Sequence, residues 1–363
     1  LSNWDSLIHY GLARQAGYMV SQEAYETKGK EQFGQQPIGT GPFMVDNWEH
    51  GVGMSFVKFE DYWQGEPILD YINSKIYSEE LVARAALEAG DIDLMITSDY
   101  DTAQLLDKKG FTINVSSVPS VYHTMCYNMV NEDDPFHNRK VREAVSCAIN
   151  VENINRILGG GYSKMSTHWS LPGSPYYNED IRGYPYDIER AKELLDEAGY
   201  SDGFTTPLYI EHTWPIMIQA GQIIAEELKK IGVIVDIQVK ENWPNYLGGW
   251  TGMLIHPMGM SNGAASQISA NFVKGLDFGL GVNSFVFTDE LDAVIREARS
   301  ADQQTASELI QKAQAMIFDD YIMMKPIMIS PALAVVNPSL RDTGFAETTL
   351  RSTTLHKAYW EED

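Results

Sequence analysis

The sequence has little cysteine, a minority of basic residues and no long apolar run, and each shortage excludes a class of protein. Its 363 residues include 2 Cys, Cys126 and Cys147. Two cysteines alone cannot build a zinc site, and one disulfide between them stays open. No apolar run reaches the roughly 18 residues that a membrane-spanning helix needs. The chain starts at Leu1 rather than at a methionine or a signal peptide, which predicts a processed chain or a piece of one.

Positive charge is scarce. There are 27 Lys and Arg against 50 Asp and Glu, a net charge of -23. A protein that follows the phosphate backbone needs the opposite sign, so nucleic acid is excluded as a partner. The acidity is typical of a well-solvated surface.

Catalytic motifs are also missing. The sequence has no G-x-S-x-G, no H-E-x-x-H and no Cys/His pairing at a useful spacing, and its 8 His are scattered singly. Gly159-Gly160-Gly161 is not followed by Lys-Ser or Lys-Thr, so it fails as a phosphate loop. We therefore predict no catalytic residues, no cofactor, no metal ligands and no enzyme activity.

The most informative stretch that is present runs from Pro37 to Trp63, PIGTGPFMVDNWEHGVGMSFVKFEDYW. The residues from Gly39 to Pro42 favour a turn. Two short runs of alternating apolar and polar residues on either side of His50–Gly53 predict a β-hairpin. The aromatic residues Tyr62 and Trp63 are expected to pack against that hairpin.

A strand–helix–strand pattern follows in the second half of the chain. Leu208–Glu211 and Gly232–Val239 are strand-like, and Ile216–Ile231 between them is helical, which predicts a βαβ unit and a largely parallel sheet. Residues 256–287 are rich in Gly, Ser, Asn and Met and are predicted to be loop. Tyr321–Val336 is predicted to be a returning strand.

One arginine in a predicted helix and one acidic pair are candidate sites that have simpler structural interpretations. Arg142, in the helix predicted to run to Ile149, is expected to form a structural ion pair with nearby acids. Asp91 and Asp93 form a carboxylate pair on a short turn, where caps and solvated charges are commoner than catalysis.

Several strings together resemble one known family. GTGPF, a Trp-Glu after it and DYWQGEPILD come in this order, and SLPGSPYY and DIERAKELLDEAGY follow later in the chain. This set is similar to the family 5 extracellular solute-binding proteins of ABC importers, of the dipeptide-, oligopeptide- and nickel-binding type. The resemblance extends from about Ser21 to Val336.

The resemblance implies an α/β, two-lobed, periplasmic-binding-protein-like fold (type II, large cluster) with an incomplete first lobe. The expected parts are residues 1–127 in lobe I, residues 128–330 as a complete lobe II, and residues 331–363 returning to lobe I. The chain then corresponds to the C-terminal portion of a longer receptor, because the family's first strand and accessory domain have no counterpart here.

The implied function is an extracytoplasmic receptor that delivers a small solute, peptide-like or other, to an ABC permease in the cytoplasmic membrane. The full-length protein is expected to be a monomer, either periplasmic or a cell-surface lipoprotein. The alternatives are a nickel- or metal-chelate-binding receptor of the same family, a sensory module of the same fold, and an enzyme on the same two-lobed frame.

Candidate ligand-binding residues follow from the place of the family's cleft between its lobes. They lie on a hinge-side strand, in a central loop, after the βαβ unit and in a Met-rich segment: Tyr122, His123, His168, Trp169, Trp243, Met258, Met260, Ser261 and Asn262.

The Met-rich segment departs from the family pattern. Peptide-binding members carry an aspartate that takes the ligand's ammonium group, whereas this chain has Ser261 or Asn262 there. An uncompensated cation in a closed cleft is costly, so we expect weak binding of unmodified di- and tripeptides. His256, Met258 and Met260 also offer soft ligands to copper(I) or a chelated nickel, although Met side chains lining a pocket wall are the commoner arrangement.

Overall fold

A computed structural model of the protein describes residues 17–117, 121–241, 250–259, 263–275, 285, 288–345 and 355–361. The chain divides into two compact units, one holding Val121–Ser330 and the other holding the described residues before 118 and after 330. No helix in these ranges is long and apolar enough to cross a membrane. The lobe bounds inferred from the sequence stay a prediction for the whole protein.

The helices and strands are labelled here in chain order. Before residue 118 they are α1 (Gln22–Gln35), β1 (Phe43–Glu49), β2 (Gly53–Lys58), β3 (Tyr71–Lys75), α2 (Glu80–Ala89), β4 (Leu94–Thr97), α3 (Tyr100–Lys108) and β5 (Thr112–Val115). From residue 121 to 330 they are β6 (Val121–Tyr127), α4 (Arg139–Ala148), α5 (Val151–Leu158), α6 (Ile188–Glu197), β7 (Phe204–Glu211), α7 (Pro215–Lys229), β8 (Val233–Lys240), β9 (Met253–Gly259), α8 (Gly263–Asn271), α9 (Asp289–Ser300), α10 (Gln303–Ala315) and β10 (Met324–Ser330). The last strands are β11 (Leu333–Val336), β12 (Leu340–Arg341) and β13 (Tyr359–Trp360).

The predicted hairpin is confirmed. β1 and β2 pair antiparallel with a register shift between Val45 and Asn47, and β3 adds to β2. The predicted aromatic packing is wrong for Trp63, whose ring is 73% exposed. Its contact is instead local, an edge-to-face arrangement with Tyr62 at 5.9 Å between ring centroids. Adjacent aromatic residues in a turn need not point to the same side. The closeness of Tyr62 and Trp63 to the hairpin in sequence therefore did not determine whether they are buried.

The returning segment builds the second sheet of this unit. β11 pairs antiparallel with β4 on one side and with β5 on the other, giving the order β4–β11–β5. All four residues of β11 are buried, as expected for a central strand. The chain from residue 331 on therefore completes a sheet whose other strands come from before residue 118.

The unit from residue 121 to 330 is built on a five-stranded sheet with the order β10–β6–β9–β7–β8. The predicted βαβ unit is confirmed, because β7 and β8 are parallel with Phe204 opposite Val233. Of its five strands, β7, β8, β9 and β10 run in the same direction and β6 runs opposite to them, so the sheet is largely parallel in strand direction but mixed in pairing. β9 is parallel to β7, but β6 is antiparallel to both β9 and β10. Local sequence patterns do not reveal which distant strand becomes a neighbour, so the mixed pairing of this sheet could not be predicted from the sequence.

The predicted loop over residues 256–287 is also wrong in its first part, which contains the end of β9 and all of α8. Proline is unusual inside a central strand because it has no N–H to donate to a ladder. Here the pairing of β9 with β7 ends at Ile255, two residues before Pro257, so the missing N–H costs little on that side. The neighbouring strand β6 still pairs along the whole of β9.

Helices cover both faces of this sheet. Because side chains alternate along a strand, Tyr122 and Cys126 of β6 share one face and His123 and Tyr127 share the other. The first face packs against α8, α9 and α10. On the second face the Tyr127 hydroxyl hydrogen-bonds the Ser146 hydroxyl of α4 at 2.7 Å, and Gly221 of α7 lies against Ile210 of β7. All seven residues of β6 are therefore buried.

Both cysteines are free and buried. The ion pair expected for Arg142 is wrong, because its guanidinium is buried and donates to backbone carbonyl oxygens instead of to acids. Its neighbour Arg139 is the residue that pairs with an acid, Glu143, at 2.7 Å. A sequence shows the helical spacing of charges but not whether loop carbonyls fold over one of them.

Candidate functional site

The candidate site lies at one edge of the five-stranded sheet, at the carboxyl ends of its parallel strands. Glu211 at the end of β7 is level with Lys240 at the end of β8. β9 runs the same way, and its last residue, Gly259, faces Val121 at the start of β6. Ser330, the last residue of β10, faces Val121 from the other side. We call this rim, with the residues that directly follow β7, the carboxyl edge.

Two properties single out the carboxyl edge. In open α/β sheets, ligands bind beyond the carboxyl ends of the strands, where the loops and the helix starts converge. Within the described residues the chain also enters this unit at Val121 and leaves it after Ser330, and both residues lie at this edge.

The predicted site residues of β6 and β9 lie at this edge. Tyr122 faces Met258 across the ladder, and His123 follows Tyr122 on the opposite face of the sheet. Trp243, Met260, Ser261 and Asn262 are outside the described residues. They follow the ends of β8 and β9 in the sequence by three residues or fewer. Ligand contact by all of these side chains stays a prediction.

Trp169 is placed in the core of the unit, on the face covered by α8–α10. Its side chain is 1% exposed. The indole N–H donates a hydrogen bond to the Thr124 hydroxyl at 3.1 Å, and the ring lies 5.6 Å from that of Phe318. Tyr122 and Met258 belong to the same buried cluster. Core packing thus accounts for the burial of these three side chains.

His168 holds its own loop together. Its Nε2 accepts from the backbone N–H of Asn178 at 3.2 Å, so the proton is on Nδ1, which lies 3.0 Å from the Thr167 hydroxyl. That hydroxyl in turn donates to the Ile181 carbonyl oxygen. Burial lowers the pKa of His168 to about 4, so its imidazole is neutral near pH 7.

His123 lies on the face of the sheet that α7 covers. Its Nε2 is 3.1 Å from the Ser330 hydroxyl, a bond that joins β6 to the last residue of β10. Its ring meets the ring of Trp214 edge to face, 5.0 Å between centroids at 73°. The sequence reasoning missed Trp214. Its position between a strand and a helix that starts with proline was the signal that could have found it.

The position of His256 does not support the suggested metal site. This residue is inside β9, opposite Thr124, and burial lowers its pKa to about 4. Within the described ranges, no three or more His, Cys, Asp and Glu side chains come together in a group that could hold a metal ion. Met260 lies outside those ranges.

Comparison with known proteins points to one family. Residues 5–278 match the family described as "Bacterial extracellular solute-binding proteins, family 5 Middle". The glutathione-binding protein GsiB of Salmonella typhimurium is 34% identical over 223 residues, which cover 61% of this chain and 43% of GsiB. The chain thus matches less than half the length of this relative.

Solved structures show the same fold at lower identity. The periplasmic binding protein DppA of Helicobacter pylori, in complex with the peptide STSA, gives a TM-score of 0.78 at 23% identity, covering 99% of this chain and 71% of DppA. NikA of Brucella suis, in complex with Fe(III)-EDTA, gives 0.79 at 20% identity, covering 89% and 68%. At these identities the likeness extends to the fold only.

Proposed function

Because the chain belongs to the bacterial extracellular solute-binding proteins of family 5, we propose that it forms the solute-binding part of a receptor for an ABC importer. The receptor captures a small solute outside the cytoplasmic membrane and passes it to the permease. The observation that carries this proposal is the family match over residues 5–278, which contain the carboxyl edge of the sheet except for the end of β10. The relatives are solute-binding proteins rather than enzymes.

The proposed ligand is a peptide-like solute that does not need an acidic partner from the protein. By the resemblance to the family, Ser261 or Asn262 takes the place of the aspartate of peptide-binding members, so a free peptide ammonium would lack its partner. Glutathione, the ligand named for GsiB, carries its ammonium beside its own α-carboxylate, which balances the charge within the ligand. N-blocked peptides avoid the problem by having no ammonium.

The test is calorimetry and thermal unfolding of the protein expressed from its full coding sequence. A ligand that binds only the folded state raises the unfolding temperature, and the rise grows with the logarithm of the ligand concentration relative to Kd. We expect binding of glutathione or of N-acetylated tripeptides, and much weaker binding of trialanine. Submicromolar binding of trialanine would overturn the ligand class. No binding of any peptide-like solute, together with turnover of one of them, would overturn the receptor function.

The remaining parts of the proposal concern the whole protein. We propose a periplasmic or lipid-anchored receptor that works as a monomer. A nickel–histidine complex belongs in the same thermal screen, because the nickel-binding alternative predicts that it stabilises the protein while glutathione does not. Closure of two lobes around the solute is the proposed mechanism.

A further inference from the structure

We propose that Trp214 is a ligand-contact residue at the carboxyl edge, and that His123 positions it. Its indole ring would receive an apolar or planar part of a peptide-like solute. This inference rests on the proposed function, since it specifies how the same edge recognises its ligand. It adds a residue that neither the sequence motifs nor the comparisons assign.

The backbone of Trp214 is fixed at the start of a helix. It is the N-cap residue of α7, and its carbonyl oxygen accepts the backbone N–H groups of Met217 and Ile218 at 2.9 and 3.2 Å. Pro215 follows as the first residue of the helix, with a backbone angle already suited to it. A side chain on so rigid a turn is preorganised for contact with a ligand.

Capping does not explain the presence of tryptophan here. Ser, Thr, Asp and Asn are preferred at an N-cap because their side chains accept a helix N–H. The Trp214 side chain makes no such bond. Trp214 is only half-buried, so part of a large aromatic surface remains at the edge of the sheet. Half-exposed tryptophan rings with one packed side are frequent anchors for binding partners.

His123 holds the packed side of that ring. The imidazole of His123 is fully buried and meets the indole edge to face at 5.0 Å. Its Nε2 is fixed by the Ser330 hydroxyl at 3.1 Å. The chain of contacts thus runs from Trp214, through a residue of the strand that enters the unit, to the last residue of the strand that leaves it. A shift of the indole on binding a ligand would therefore affect the contacts of both β6 and β10.

The test compares the affinities of variants for reduced glutathione and for N-acetyl-trialanine by calorimetry, in the full-length protein. We expect Trp214→Ala to weaken binding about tenfold or more, and Trp214→Phe to weaken it about threefold, because a smaller ring keeps part of the contact. The ligand-induced change in tryptophan fluorescence should be smaller in Trp214→Phe than in the wild-type protein. A structural role alone would not reduce that signal in a variant that still binds.

Tyr200→Ala is the matched control. Tyr200 is a half-buried aromatic residue at the opposite end of β7, where its ring meets Phe204 edge to face at 5.2 Å. This variant should lose stability and keep the wild-type affinity. His123→Gln keeps a hydrogen-bonding group for Ser330 but removes the imidazole ring, and it should weaken binding about threefold.

The outcomes separate the two proposals. If the wild-type protein binds a probe and Trp214→Ala binds it equally well, the inference about Trp214 is wrong and the receptor function stands. If the wild-type protein binds neither probe, the proposed ligand class fails, and the role of Trp214 in recognising it fails as well. If Tyr200→Ala loses as much affinity as Trp214→Ala, the loss is one of stability, and the inference is contradicted.

Discussion

Arg142 donates two hydrogen bonds to the carbonyl oxygen of Tyr321, from Nε at 3.1 Å and from Nη2 at 2.8 Å. Its Nη1 donates to the carbonyl oxygens of Phe136 and His137 at 2.7 and 2.9 Å. One guanidinium of α4 therefore holds the turn before α4 and the segment before β10. The next residue of that segment, Ile322, has a backbone φ of 48°, a region that β-branched residues rarely adopt.

Replacing Arg142 is expected to destabilise the protein strongly. Arg142→Met keeps much of the side-chain volume but leaves buried carbonyl oxygens without donors, at a cost of about 2 to 4 kcal/mol in the free energy of unfolding. Lys140→Ala on the same helix removes an exposed ion pair with Glu197 and should cost less than about 1 kcal/mol. Urea denaturation measures both. Equal losses in the two variants would contradict the proposed role of the guanidinium.

The stability of the protein should fall as the pH is lowered from about 6.5 to 4. Burial lowers the pKa of His168 and His256 from 6.5 to about 4, so the unfolded chain binds more protons than the folded protein in this range. The stability is complete above the upper pH and is lost towards the lower one, by up to about 3 kcal/mol for each histidine.

The variant His168→Asn tests this sign, because an amide donor replaces Nδ1–H without a titrating group. The slope of the unfolding temperature against pH should become shallower in this range. Parallel curves for the variant and the wild-type protein would show that His168 titrates alike in the folded and unfolded states, which would contradict the prediction.

Gly203 should not tolerate alanine. Its φ is 74°, and a Cβ atom there would lie 2.0 Å from the carbonyl oxygen of Gly232, where the starts of β7 and β8 come together. We expect Gly203→Ala to lower the free energy of unfolding by about 2 kcal/mol or more. Gly199 has a similar φ of 84° but open space around it, so Gly199→Ala should cost only about 1 kcal/mol. Thermal unfolding of the two variants measures the difference, which is the cost of the steric clash beyond that of backbone strain.

Neither cysteine should react with a thiol reagent in the folded protein. Cys126 and Cys147 are free and buried, and burial raises the pKa of Cys147 to about 11, so the reactive thiolate is scarce. Ellman titration of this chain should give no thiol before denaturation and both thiols after it. Detection of fewer thiols in the denatured chain without reductant would indicate a disulfide.

The local elements of the fold were determined by the sequence alone. Ser21 accepts the N–H of Ala24 at the start of α1, and Gly90 ends α2 in a left-handed conformation, as their residue types predict. The family followed from strings such as GTGPF and DIERAKELLDEAGY, since they combine fixed turns and caps in a fixed order. Each of these signals is carried by residues close together in the chain.

Only the tertiary structure decided which strands are neighbours and which side chains meet. His123 and Tyr122 are adjacent in sequence but lie on opposite faces of the sheet, whereas His123 meets Trp214 and Ser330, residues far along the chain. Pro257 became part of a strand because β7 ends beside it, and Arg142 met carbonyl oxygens because a distant segment folds over it. Such contacts depend on strand order and register, which no local pattern encodes.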